Sequence, residues 1–173
     1  MEEQQPKTGK FALNYGLLLG VVFVVFGVML YTQKMHYEMN TAVMVISVLL
    51  MVAGSFLAVS AFKKANGGYL TLGEALKVTV GMAVIATIVS LAYQYVLTHF
   101  IEPDFMDKAM ELAKPKAMAR NPNMTEEQWQ QGVEMQKKMA WIQYPVGLII
   151  NSIIGLIIGL VVGLILKKSK PEY

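Results

Sequence analysis

The stretch that decides the fold is residues 144–166, which read YPVGLIINSIIGLIIGLVVGLIL near the end of the chain. A small or polar residue recurs there at every fourth position, which places these residues on one stripe of a helix. Glycine inside a soluble helix costs roughly 1 kcal/mol relative to alanine, whereas in a membrane it lets two helices approach closely. We therefore expect a membrane helix that forms the seam for the other spans. Its stripe consists of Gly147, Asn151, Gly155, Gly159 and Gly163.

The composition of the whole chain also indicates a membrane protein. Of 173 residues, 55% are hydrophobic and only 16% are charged, whereas charged residues make up about 25% of an ordinary soluble domain. The net charge is only +3, and the lysines stand at the ends of apolar runs, which argues against nucleic-acid binding. The chain has no cysteine, which excludes disulfides, thiolate metal sites and cysteine nucleophiles.

Four apolar runs predict an all-α polytopic membrane protein with four transmembrane helices. At about 1.5 Å per residue, some twenty residues cover the roughly 30 Å of a hydrocarbon core. The first run exceeds the roughly 7–15 residues of a signal-peptide core, so we expect it to be an anchor. Further small residues at packing positions are Gly16, Gly20 and Gly54. The predicted segments are a tail at 1–10, spans at 11–32, 40–62 and 72–100, a polar segment at 101–143, a span at 144–166 and a tail at 167–173.

Local signals mark the start of the third span. The turn at residues 66–68, Asn-Gly-Gly, suits backbone with positive φ. Thr71 followed by Glu74 is the pattern of a capping box, in which each residue bonds the backbone N–H of the other. The third helix is therefore expected to begin at Leu72.

The polar segment at 101–143 predicts an amphipathic helical hairpin between the third and fourth spans. Its first helix follows Pro103, and apolar residues share one face from Phe105 onward. Lys114-Pro115 and residues 121–123, Asn-Pro-Asn, are expected to interrupt the helical pattern. A second capping box at Thr125 then opens the other helix.

The distribution of lysine and arginine predicts the orientation. With both termini in the cytoplasm, that side carries eight of these residues and the other side carries seven. The eight are more concentrated, because six of the seven are spread over the long segment 101–143. The positive-inside rule therefore favours cytoplasmic termini and an extracytoplasmic hairpin.

Several short pieces of the sequence resemble one family. They are Asn14-Tyr15-Gly16, GGYLTLGEALKVTVGM at 67–82, FIEPDF at 100–105, MTEEQ at 124–128, and a glycine-rich last span that ends in lysines. Over nearly its full length the chain resembles a family of small bacterial, Bacteroidetes-type membrane proteins, domain of unknown function 4199. The resemblance implies four spans and a location in the inner membrane. That family has no assigned activity, so the resemblance implies no functional residues.

Methionines and histidines suggest one candidate chemistry, a metal site on the outer side. Thioethers are soft ligands that suit monovalent copper. Methionines spaced by four residues also form an ordinary adaptable apolar face, which we regard as the more common outcome. The weak candidate ligands are Met35, His36, Met39 and His99.

The favoured functional hypothesis is a non-enzymatic accessory or structural protein. It would act in the lipid bilayer through helix packing and its outer hairpin, as a homo-oligomer or with another membrane protein. No catalytic constellation and no cofactor motif occurs in the sequence. The alternative is a small-solute transporter or channel with Asn151, Thr87, Ser90 and Gln94 along a path. For Asn151 a hydrogen bond between helices is the simpler interpretation.

Overall fold

The computed structural model describes residues 6–37 and 40–170, and within them the chain folds into helices joined by short connections. A π-helical turn, Leu97–Ile101, continues the third helix, and a 3-10 turn, Ala140–Ile142, leads into the last one. The α-helices are α1 (Thr8–Thr32), α2 (Thr41–Ala65), α3 (Leu72–Val96), α4 (Phe105–Arg120), α5 (Glu126–Lys138) and α6 (Gln143–Leu166).

Four of these helices are long and apolar enough to cross a membrane. They are α1, α2, α3 with its π turn, and α6 with the turn before it. The predicted class, an all-α protein with four spans, is confirmed. α1 and α2 extend beyond the apolar runs into polar residues, to Thr8 and Ala65 respectively, because helical hydrogen bonds do not require apolar side chains.

The predicted start signals of α3 are confirmed. The N–H of Glu74 donates to Thr71 Oγ1 at 3.2 Å, and the N–H of Thr71 donates to a carboxylate oxygen of Glu74 at 2.8 Å. Gly67 and Gly68 have φ values of 66° and 84°, a backbone conformation that glycine adopts without steric cost. These features fix the direction in which α3 leaves the turn.

The predicted interruption at Lys114-Pro115 is wrong, because α4 continues through Pro115 to Arg120. Proline removes one helical hydrogen bond, here the bond to the carbonyl of Glu111. Glu111 is exposed, so water can satisfy that carbonyl. The helix ends instead at Asn121, where the chain turns toward α5, and α5 begins with the predicted capping box of Thr125.

The helix at the centre of the bundle is α3. The expectation that the other spans pack against residues 144–166 therefore has to be corrected. α3 makes its most extensive contacts with α1 and with α6, and α2 is packed less closely. The reason is that α3 carries small side chains on two faces, whereas α6 carries its small residues on a single face. The buried residues of α3 are Ala75, Val78, Thr79, Met82, Ala83, Ala86 and Thr87.

Glycines determine how closely α6 and α3 approach. A Cβ atom built on Gly155 would lie 2.6 Å from the Cβ of Ala83, and one built on Gly163 would lie 2.8 Å from Leu72 Cδ1. A Cβ atom on Gly159, between them, would collide with the side chain of Thr79. This half of the stripe is therefore in direct contact with α3.

Glycines on α1 have the same role on the other face of α3. A Cβ atom on Gly16 would lie 2.7 Å from Ile85 Cβ, and one on Gly20 would lie 2.7 Å from Val89 Cβ. Gly54 on α2 has more room, because its nearest neighbour, Leu19, would lie at an ordinary 3.4 Å. Glycines of α1 and α6 therefore allow close approaches to α3, whereas Gly54 of α2 does not face such a contact.

Candidate functional site

The helices separate toward the end of the bundle that carries α4 and α5. A Cβ atom on Gly147 would find its nearest neighbour, Leu91 Cδ2, only at 3.9 Å. Gly147 and Asn151, the first two members of the α6 stripe, therefore face open space rather than the α3 backbone. The space is a cavity of about 480 Å³ between α1, α2, α3 and α6, which we call the inner cavity.

Both polar and apolar side chains line the inner cavity. The four residues that the sequence suggested along a solute path, Asn151, Thr87, Ser90 and Gln94, all line it. Ser47 on α2 adds a further hydroxyl group. The described lining contains no Asp, Glu, Lys or Arg. Its apolar part includes Phe23, Phe26, Leu30, Leu91 and Leu97.

Three polar side chains of the cavity donate a hydrogen bond within their own helices. Ser47 Oγ donates to the carbonyl of Val43 at 2.8 Å, and Ser90 Oγ donates to that of Ala86 at 2.9 Å. Asn151 Nδ2 donates to the carbonyl of Gly147 at 2.9 Å, so the expected bond between helices is replaced by one within α6. Their oxygens can still accept a hydrogen bond from a solute, and the second N–H of the Asn151 amide can still donate one.

A partly buried ionic cluster lies where the cavity reaches the α4–α5 end. His36 Nε2 lies 2.8 Å from one carboxylate oxygen of Glu102. The hydroxyl of Tyr37 and the ammonium of Lys108, the latter at 2.8 Å, both donate to the other oxygen. Lys108 also pairs with Asp104 at 3.0 Å. The side chains of His36 and Glu102 are each 8% exposed. Because His36 and Tyr37 follow α1 while Glu102 and Lys108 lie at the start of α4, the cluster connects these two parts of the chain.

The cluster keeps Glu102 ionised. Hydrogen bonds from Lys108 first and Tyr37 second lower the pKa of Glu102 from 4.5 to about 2, against a smaller opposing effect of burial. The same contacts raise the pKa of Lys108 and of Tyr37, because each donor loses a favourable partner when it loses its proton. At neutral pH the cluster therefore contains a carboxylate and an ammonium group.

His36 separates the inner cavity from a second one. Tyr37, Glu102 and Lys108 line the second space, which we call the outer cavity and which has a volume of about 610 Å³. Of the described residues around these two spaces, His36 alone lines both. Phe105 stacks on its ring at 5.7 Å between centroids, and Tyr31 meets it edge-on at 5.0 Å. His36 thus forms part of the wall of both cavities.

The proposed metal ligands have different surroundings. Met35 lines the inner cavity and His36 pairs with Glu102. His99 is exposed, stacks on Tyr95, and has its Nδ1 3.0 Å from the Tyr95 carbonyl. Met39 lies outside the described residues. Within residues 6–37 and 40–170 no group of three or more His, Cys, Asp or Glu side chains is placed to hold a metal ion.

Sequence reasoning missed the ionic cluster as a unit. In the sequence Glu102 stands out only as the acid of FIEPDF, and no pattern marks Tyr37 or Lys108. The partners His36 and Glu102 are 66 positions apart, so no local pattern connects them. The available signal was the acid of FIEPDF placed directly after a span, where an uncompensated charge near the membrane requires a partner.

The family model described as "Protein of unknown function (DUF4199)" matches residues 14–168. The chain belongs to this family. The match spans the four apolar helices, both cavities and the ionic cluster of this DUF4199 protein. No curated protein and no solved structure shows a significant similarity to the chain.

Proposed function

We propose that this protein is a non-enzymatic membrane transporter that takes a small, uncharged solute into the inner cavity. The observation that carries the proposal is the convergence of Thr87, Ser90, Gln94 and Asn151, from two helices, on one cavity. These polar side chains lie in segments that are otherwise apolar. Polar groups inside a span are costly unless they meet a partner or a solute, and they commonly mark a solute path.

The size and chemistry of the cavity support a small neutral solute. A volume of about 480 Å³ lies within the roughly 300–1,000 Å³ of small-molecule sites. A charged solute would require an opposite charge in this apolar setting, and the described lining supplies no Asp, Glu, Lys or Arg. Hydroxyl and amide groups together with aromatic rings in one lining suit a molecule with polar and apolar parts.

The absence of native cysteine allows a direct test of water access. Ser90→Cys places a thiol in the inner cavity. Ile88→Cys places one on the outer surface of α3, where Ile88 is 54% exposed and is expected to face lipid. A charged methanethiosulfonate reagent reacts with the ionised thiol in water. We expect Ser90→Cys to be modified at least tenfold faster than Ile88→Cys in liposomes.

Flux measurements test transport itself. Proteoliposomes with the wild-type chain should take up glycerol faster than empty liposomes, and Asn151→Leu should abolish the increase by filling the cavity with an apolar side chain. Ile153→Leu is the matched control on the exposed face of α6. Equal labelling of the two thiols, together with equal flux into empty liposomes and into liposomes with the wild-type, Asn151→Leu and Ile153→Leu chains, would contradict the proposal.

The accessory role remains a second proposal, supported by α5. None of the residues of α5 is buried. Met135 in α5 is 64% exposed, and Trp141, which follows the helix, is 65% exposed. A membrane partner or a second copy of the chain could cover this surface. Crosslinking in native membranes from a photoreactive residue at Met135 tests it, and a chain that stays monomeric without a crosslinked partner would contradict it.

A further inference from the structure

A gap opens between α2 and α6, and its α2 side reaches the outer surface of the bundle. It has a volume of about 450 Å³, and Phe23 of α1 forms part of its lining. Met44 and Val48 of α2 line the gap and are 58% and 42% exposed. This half of α2 is therefore not covered by the other helices, in agreement with the looser packing of α2 on the bundle. We call this space the α2–α6 gap.

The α2–α6 gap has the depth of one membrane leaflet. Its α2 wall runs along one helix face from Thr41 to Met51. This distance is about 15 Å at about 1.5 Å per residue, which is half of the roughly 30 Å of a hydrocarbon core. The gap closes at Met51, which is only 4% exposed, and at Ile154, which packs against the core. It therefore extends from the end of a span to about the middle of the membrane.

The polarity of the α2–α6 gap changes in the same order as that of a phospholipid. Asn40 and Thr41 provide polar groups at the end of the span, and no Asp, Glu, Lys or Arg occurs in the described lining. Deeper in the membrane most of the lining is apolar. Ser47 and Asn151 are polar, but each already donates a hydrogen bond to a carbonyl of its own helix, at 2.8 and 2.9 Å. These bonds lower the cost of an apolar neighbour.

We propose that the α2–α6 gap binds one acyl chain of a bilayer phospholipid. An acyl chain matches the gap in depth and in polarity, and it restores the dispersion contacts that an empty apolar gap lacks. The inference does not depend on the proposed transport of a solute, and the labelling and flux tests of transport remain separate from it.

A helix of a second copy or of a partner does not fit into the α2–α6 gap. With its side chains an α-helix is about 10–12 Å across, so one turn of about 5.4 Å occupies roughly 400–600 Å³. A single turn would therefore take up the whole gap of about 450 Å³, whereas a membrane span has several turns. The shape of the gap favours a thin, flexible occupant.

Quenching of tryptophan fluorescence by phosphatidylcholine with brominated acyl chains tests the occupant in liposomes. Trp129→Phe with Trp141→Phe removes the two native tryptophans, and Phe23→Trp in this background reports on the gap. Phe26→Trp is the matched control, because Phe26 lines the inner cavity but not the gap. Phe56→Trp reports on the outer surface, where Phe56 is 46% exposed. Because bromine quenches on contact, we expect Phe23→Trp to be quenched like Phe56→Trp and about twofold more than Phe26→Trp within the hydrocarbon core.

Val48→Phe narrows the gap from its exposed α2 side and should reduce the quenching of Phe23→Trp by about half. Leu49→Phe is its control, because Leu49 is 61% exposed and does not line the gap; it should leave the quenching unchanged. Quenching of Phe23→Trp no stronger than that of Phe26→Trp would overturn the inference. Strong quenching by aqueous iodide would also overturn it, because water or a solute would then fill the gap. A disulfide-linked dimer of Met44→Cys with weak quenching of Phe23→Trp would overturn it in favour of a second copy.

Discussion

At the scale of single residues, Glu102 connects parts of the chain that are far apart in sequence. It accepts hydrogen bonds from His36 and Tyr37 in the loop after α1, and from Lys108 in α4. Each donor alone is a modest interaction, but all three depend on the same ionised carboxylate. The position of the His36 ring between the two cavities therefore depends on the charge of Glu102.

The charge of Glu102 predicts a pH-dependent stability. Its pKa in the fold, about 2, lies below the ordinary 4.5, so the ionised group stabilises the fold fully above about pH 4.5. This contribution is lost as the pH falls from 4.5 toward 2. Glu102→Gln should lower the unfolding free energy by about 1–3 kcal/mol at neutral pH, and the difference from wild type should disappear in that acidic range.

Thermal unfolding in mild detergent, followed by tryptophan fluorescence across this pH range, measures the effect. Glu111→Gln is a suitable control, because Glu111 lines the same outer cavity but is exposed. We expect this control to follow the wild-type curve. A Glu102→Gln difference that stays constant from pH 7 to pH 2 would show that its charge does not support the fold.

At the scale of helices, small residues decide which surfaces meet. A Cβ atom on Gly81 would lie 2.8 Å from the Cβ of Ala12 on α1, and Ala83 meets Gly155 on α6. Gly81 and Ala83 are two residues apart on α3 and therefore point toward different neighbouring helices. As a result, α3 packs between α1 and α6. Close backbone approach of this kind is a main source of helix association in lipid, where burial of apolar surface gives little driving force.

The stripe on α6 predicts a contrast between two glycines of one helix. Gly159→Ala should destabilise the bundle by about 1–3 kcal/mol through overpacking, because the new methyl group would collide with Thr79. Thr79 is buried, and its hydroxyl donates to the Ala75 carbonyl at 3.0 Å, so it has little room to move. Gly147→Ala should be neutral or slightly stabilising, because its methyl group points into the cavity and alanine favours a helix.

Unfolding of the two variants in detergent measures the contrast. Gly159→Leu and Ile158→Leu provide a second pair, since Leu and Ile have similar volumes and only the glycine position lacks space for a side chain. Equal stability of the Gly159 and Gly147 variants would show that the close contact of α6 with α3 does not hold the bundle together.

At the scale of the whole molecule, the bundle is tight at one end and open at the other. Gly163 is packed against Leu72 near the chain termini, whereas Gly147 at the other end has open space. Main-chain bonds between Leu70 and Lys168, both at 2.9 Å, connect the turn before α3 to the end of α6 at the tight end. The inner cavity is the consequence of this divergence.

The orientation of the bundle remains a prediction from the lysine distribution. We expect both termini in the cytoplasm, so that the inner cavity would be closer to the outer face of a bacterial inner membrane. Single cysteines at Ala65, before α3, and at Ala117, in α4, should react oppositely with an impermeant maleimide in intact cells. Labelling at Ala117 alone supports this orientation, and labelling at Ala65 alone would reverse it.

The local parts of the fold could be predicted because their signals are short-range. Apolar runs of sufficient length predict spans, and the pairs Thr71–Glu74 and Thr125–Gln128 fix helix starts through bonds between residues three apart. The error at Pro115 has the same origin. The residue type indicates an interruption, but the cost of its missing hydrogen bond depends on whether water reaches the freed carbonyl, which a sequence pattern does not show.

By itself the sequence determined the class of protein, the four spans and the glycine stripe, because these depend on hydropathy and on helical periodicity along one segment. Only the tertiary structure decided that α3 is the central helix, that the stripe is closed at Gly159 and open at Gly147, and that His36 meets Glu102. Each of these depends on the facing surface of another helix. Contacts between distant segments require the relative rotation and separation of helices, which packing sets after the individual spans have formed.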